Sequence, residues 1–104
     1  MDVEPEHDGR TPRQRDRDRK YREHVARVQR RDRLDSCVTD VRLIYQALRH
    51  RAERGSPEWS EFDRLWRYHG EVEKTVSQFT AAEQDQILDE YPRLAAHLRA
   101  EYRL

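Results

Sequence analysis

The sequence predicts an all-α protein, a small helical bundle of three to four helices behind a disordered N-terminal tail. Three observations predict it. Apolar residues recur every three or four positions from Leu34 to Ala52 and again from Trp59 to Phe79. Helix-start signals stand ahead of the helical segments, at Thr11-Pro12, Ser56-Pro57-Glu58 and Thr80-Ala81-Ala82-Glu83. No segment alternates with period two between turn residues, so strands are not expected.

Residues 1–12 hold two prolines, a glycine and almost nothing apolar. They cannot offset their ordering entropy by burial and read as a disordered acidic tail. Thr11 is a capping residue, and Pro12 suits the first helical position, where no N–H is needed. An arginine-rich helical arm over 13–33 follows. Acid-before-base pairs four apart, Asp16 with Lys20, Asp18 with Arg22 and Glu23 with Arg27, favour it at roughly 0.2–0.5 kcal/mol each. Tyr21, Val25 and Val28 give it only a thin apolar stripe.

The helical domain proper, residues 34–104, starts with a stronger pattern. Leu34, Val38, Val41, Ile44, Tyr45, Leu48 and Ala52 fall on one narrow face at helical spacing. Gly55 is expected to end that helix, with Arg49, Arg51 and Arg54 near the negative end of its dipole. The Tyr21/Val25/Val28 stripe is rotated about 150° from the later face, onto the flank of Leu43. A break at the capping pair Asp35-Ser36 would explain the rotation. One long, bent helix whose stripes meet different partners explains it too, and is preferred.

Ser56-Pro57-Glu58 opens a second helix over 57–78, antiparallel to the first. Trp59, Phe62, Leu65, Trp66, Val72, Val76 and Phe79 line its inward side and Gly70 its outer side. Thr80 and Glu83 form a capping box for a third helix carrying Ala81, Ile87, Leu88 and Tyr91. Pro92 disfavours a helical Tyr91, so this helix should stop near residue 90. Leu94, Leu98 and Tyr102 then mark a short final helix.

In 104 residues there is room for one small domain and a tail, not for a multidomain enzyme. The 21 basic and 21 acidic side chains cancel, yet the signs are segregated: −4 over residues 1–9, +7 over 10–34, +1 over 35–55 and −4 over 56–104. A basic element of this kind seeks an anionic partner or is neutralised by an acidic half, its own or that of a second copy. No apolar run approaches the roughly 20 residues of a membrane span, and the N-terminus is acidic where a secretion signal would be basic and then apolar. The expected location is cytoplasmic, or nuclear for a eukaryotic or viral source. Cys37 stands alone, so stability must come from packing rather than from a disulfide.

A search for chemistry finds little. There is no cysteine pair for zinc, no His-Glu-x-x-His, no Glu-x-x-His within a predicted helix and no glycine-rich phosphate loop. No catalytic residue, cofactor, metal or small-molecule substrate is expected, and the protein is read as a non-enzyme. His69 falls at the centre of the Trp59/Phe62/Trp66/Val76 face, with Glu73 one turn on. A carboxylate there would raise the imidazole pKa and make a pH-sensitive element; the plainer reading is a hydrogen-bonded core or interface histidine. Cys37, beside the apolar face, reads as a small packing residue.

Nineteen arginines against two lysines sharpen the charge pattern. Arg13, Arg15, Arg17, Arg19, Arg22, Arg27, Arg30, Arg31 and Arg33 form the candidate surface for an anionic partner, since arginine forks onto carboxylates and phosphates alike. Coding bias would also enrich arginine, and Asp16, Asp18, Glu23 and Asp32 weaken the local field toward phosphate. The aromatic faces are wide for so few short helices, which points to a protein interface through Leu43, Tyr45, Trp59, Phe62, Trp66 and His69 and to a homodimer. The reading is a non-enzymatic helical protein-interaction module, an adaptor, inhibitor or assembly factor, whose basic arm engages an acidic partner. Its rival is a nucleic-acid-binding regulatory protein of a phage, plasmid or GC-rich bacterium that contacts phosphates through residues 10–34.

Overall fold

The computed structural model describes residues 9–104 and divides the chain into two units, residues 1–30 and 31–104. The expected disorder of the tail falls outside the described residues for positions 1–8. Helix α1 spans Pro12–Arg51 without interruption, so no break occurs at Asp35-Ser36. It is followed by α2, Pro57–Thr75, a single 3₁₀ turn over Val76–Gln78, and α3, Ala81–Tyr102. Among the described residues there is no strand, and the chain is all-α.

The helix starts form as the sequence dictates. Thr11 Oγ1 accepts from the Gln14 N–H at 3.1 Å, and Gln14 Oε1 accepts from the Thr11 N–H at 2.8 Å, a capping box that ties the start of α1. Ser56 Oγ accepts from the Trp59 N–H at the start of α2, where Pro57 stands in the first turn. Thr80 and Glu83 complete the reciprocal pair at the start of α3, at 3.1 and 2.9 Å.

In the unit of residues 31–104, α2 runs antiparallel to α1: Arg42 reaches Glu73, Gln46 meets Trp66 and Arg49 reaches Asp63. α3 runs antiparallel to α2, since His69 meets Tyr91 and Phe62 packs edge-on against Tyr102. The core gathers one stripe from each helix. Leu34, Val38, Val41, Ile44, Tyr45 and Leu48 come from α1, Phe62 and Val72 from α2, Val76 from the turn, and Ile87, Tyr91, Ala95 and Leu98 from α3. Val38, Val41 and Val76 are the most deeply buried. Among the described residues no buried side-chain nitrogen or oxygen lacks a hydrogen-bond partner.

Three sequence expectations are corrected. α1 ends at Arg51 rather than at Gly55; the glycine instead supplies the positive φ of +84° in the turn before Ser56. Gly70 lies against α1 rather than outward, with a Cβ built there falling 3.6 Å from Arg42 Cδ. The largest correction is at Pro92, which stands inside one continuous α3 instead of separating two short helices. Its ring is exposed, while Tyr91, Ala95 and Leu98 of the same helix are buried. An interior proline costs about 3 kcal/mol, and each large side chain buried returns roughly 1.5–3 kcal/mol. Stopping at residue 90 would withdraw those side chains from the core, so packing overrides the local preference.

Candidate functional site

Within the unit of residues 1–30, the described arginine-rich stretch of α1 is almost wholly solvated. Arg13, Arg15, Arg17, Arg19, Arg22 and Arg27 are exposed, Arg30 is half-buried, and Arg31 and Arg33, in the other unit, are exposed. The internal charge pairing departs from expectation. Lys20 meets Asp16 at 3.3 Å, but Asp18 turns back to Arg10, and Glu23 meets Arg19 rather than Arg27. Arg19 also binds Asp16. Arg13, Arg15, Arg17, Arg22 and Arg27 make no ion pair among the described residues, so their guanidinium forks remain open.

Helical geometry sorts these charges into faces. Arg13, Arg17, Lys20, His24 and Arg27 follow one another at spacings of four and three, which places them in one stripe. Beside it run Tyr21, 68% exposed, half-buried Val25, and Val28, 44% exposed. Arg22 borders the apolar stripe on its other side. A helix so patterned presents cations around an uncovered apolar strip.

The aromatic residues expected at an interface are placed differently from one another. Tyr45, Phe62 and His69 are buried in the core of a single copy, so they offer no surface to a partner. Trp59 and Trp66 are half-buried and Leu43 is 47% exposed. Arg49 lies over Trp66 at 4.2 Å, with Trp59 at 5.8 Å, and donates to Asp63 at 2.7 Å; Asp63 also accepts from Arg67 at 2.9 Å. The hydrogen bond from Arg49 holds the Asp63 carboxyl below the usual carboxylate range. This arrangement clamps α1 to α2 through cation–π contact and a shared carboxylate.

His69 is a core histidine. Its ring stacks on Tyr45 at 5.3 Å, meets Tyr68 and Tyr91 edge-on, and its Nδ1 lies 2.8 Å from the Tyr91 hydroxyl. Glu73, which under the pH-sensitive alternative would raise the imidazole pKa, instead accepts from Thr39 at 2.8 Å and from Arg42 at 2.9 Å. Burial therefore acts on His69 and lowers its pKa. Burial also pushes the Tyr91 hydroxyl up to about 12, so the pair is neutral at pH 7. Cys37 is half-buried with its thiol donating to the Leu34 carbonyl at 3.3 Å, and burial raises its pKa, which suits a packing role. Among the described residues, no three metal-capable side chains cluster.

One surface was not legible in the sequence. In the unit of residues 31–104 a shallow groove of about 890 Å³ runs along α1 and α3, lined by the charged Asp32, Arg33, Asp35 and Asp40 and by Leu43, Leu88 and Pro92 among others. Leu43 was the available signal, since it stands off the core face of its helix. Asp40 pairs with Arg99, whereas Asp32 and Asp35 have no ion-pair partner among the described residues. Pro92 has no N–H, so the Leu88 carbonyl beside the groove lacks its helical donor.

No helix among the described residues is long and apolar enough to cross a membrane. No protein-family model, no curated protein and no solved structure matches the chain.

Proposed function

We propose that this protein is a non-enzymatic, cytoplasmic helical interaction module that self-associates and uses the arginine-rich start of α1 to engage an acidic protein surface. One observation carries the reading: the unit of residues 31–104 contains its own core, while the preceding stretch of α1 keeps five arginines open around an uncovered Tyr21/Val25/Val28 strip. A stretch of helix that exposes both charge and apolar surface is suited to binding. The apolar strip favours a protein partner over phosphate alone, because a sugar–phosphate backbone has little to cover it.

Fluorescence anisotropy of the full chain against a labelled acidic amphipathic peptide tests this, with labelled duplex DNA and single-stranded RNA run in parallel. Combined R13Q/R17Q/R22Q/R27Q should weaken the peptide by about 2 kcal/mol, or roughly 30-fold, from four exposed pairs of about 0.5 kcal/mol each. Binding of either nucleic acid but not the peptide, with affinity collapsing between about 50 and 200 mM salt, would replace this reading by the nucleic-acid regulator.

A further inference from the structure

We infer that the α1/α3 groove of the unit 31–104 is the docking site for residues 12–30 of a second copy of this chain. The inference rests on the interaction-module reading above and names its acidic partner as the protein itself. The groove and the segment are complementary in three respects. Asp32 and Asp35 bring negative charge with no ion-pair partner among the described residues, outnumbering the Arg33 that also lines the groove, and Arg17 and Arg22 bring positive charge in the same condition. Leu43, Leu88 and Pro92 give the groove an apolar floor, and Tyr21, Val25 and Val28 give the segment an apolar strip between its arginines. The lining from Asp32 to Leu43 extends about 17 Å along α1, the length of roughly eleven helical residues, which matches the span of the segment from Arg17 to Val28.

Each copy has one such segment and one such groove, so the contact closes as a symmetric pair or propagates into a longer assembly. Burying the segment against another copy removes both exposed apolar surfaces at once.

Charge exchange tests the inference. Light scattering after size-exclusion chromatography is run on the full chain, on R17E/R22E, on D32R/D35R, on an equimolar mixture of the two variants, and on the fourfold variant. All four positions are exposed and lack ion-pair partners among the described residues, so folding should persist, and far-ultraviolet circular dichroism checks it. The expected result is a wild-type mass at least twice the 12.7 kDa of one copy, a single-copy mass for each reversed variant, and restoration in the mixture and in the fourfold variant. A wild-type chain of 12.7 kDa at every concentration overturns the inference. So does an unchanged mass in either reversed variant, or failure of the mixture and the fourfold variant to reassociate. Anisotropy with the acidic peptide separates this from the broader proposal: a single-copy chain that still binds the peptide retains that function, and one that does not loses both.

Discussion

Replacing Tyr91 by Phe keeps the ring in place and deletes one oxygen. That oxygen lies 2.8 Å from Nδ1 of a histidine only 6% exposed and surrounded by the rings of Tyr45 and Tyr68. Removing it leaves a buried imidazole nitrogen without its partner, which costs about 1–3 kcal/mol. For a domain of this size that is a fall in Tm of roughly 4–24 °C. His69→Phe strands the Tyr91 hydroxyl in the same way. The double variant H69F/Y91F replaces both partners with apolar rings, so it should lie closer to wild type than the summed losses, with a coupling of about 1 kcal/mol or more.

The pair also fixes the sign of a pH effect. Burial lowers the His69 pKa below its ordinary 6.5, so the unfolded chain takes up this proton before the folded chain does. Stability from this group is fully present above pH 6.5 and is lost as pH falls below it, by at most about 1.4 kcal/mol per pH unit. Chemical denaturation at pH 7 and pH 5.5 would show this slope in wild type and its absence in His69→Phe. Carboxylates such as Glu73, whose ordinary value is 4.5, titrate lower and cancel in the comparison. Equal slopes in the two proteins, together with a Tyr91→Phe cost under about 0.5 kcal/mol, would refute the description of a neutral buried pair.

Other substitutions probe the remaining supports. Val38→Ala, at a fully buried position, should cost about 1.5–3 kcal/mol by urea denaturation, two methyl groups plus the cavity they leave. Thr80→Ala removes the hydroxyl that accepts from Glu83 and should lower stability by about 1 kcal/mol in the same assay. Pro92→Ala restores a donor for the Leu88 carbonyl on an exposed face and should raise Tm, by up to about 3 kcal/mol of added stability; an unchanged or lower Tm would show that the proline is needed where it stands.

The core was largely legible because it repeats locally. The α1 stripe, the capping residues at Ser56 and Thr80, and the central place of His69 all follow from spacing within one helix. What was not legible depends on residues far apart in the chain. Pro92 looked like a terminator because the preference of a residue before proline is local, whereas the demand for Tyr91 and Leu98 in the core comes from α1 and α2. Glu73 looked like a partner for His69 at one helical turn, but Arg42 and Thr39, more than thirty positions earlier, take it instead. The same distance problem hid the groove, which no single helix contains. Tyr45 and Phe62 cannot be told from partner-facing residues by spacing alone, which carries no measure of how far three helices cover one another.

Hydrogen exchange followed by mass spectrometry, on the full chain at successive dilutions, tests most directly whether fold and binding are divided along α1. Residues 34–51, which carry the core stripe, should hold their protection at every concentration, while residues 12–30 should lose theirs as copies separate. Equal, concentration-independent protection along the whole of α1 would contradict the division on which the proposed function stands.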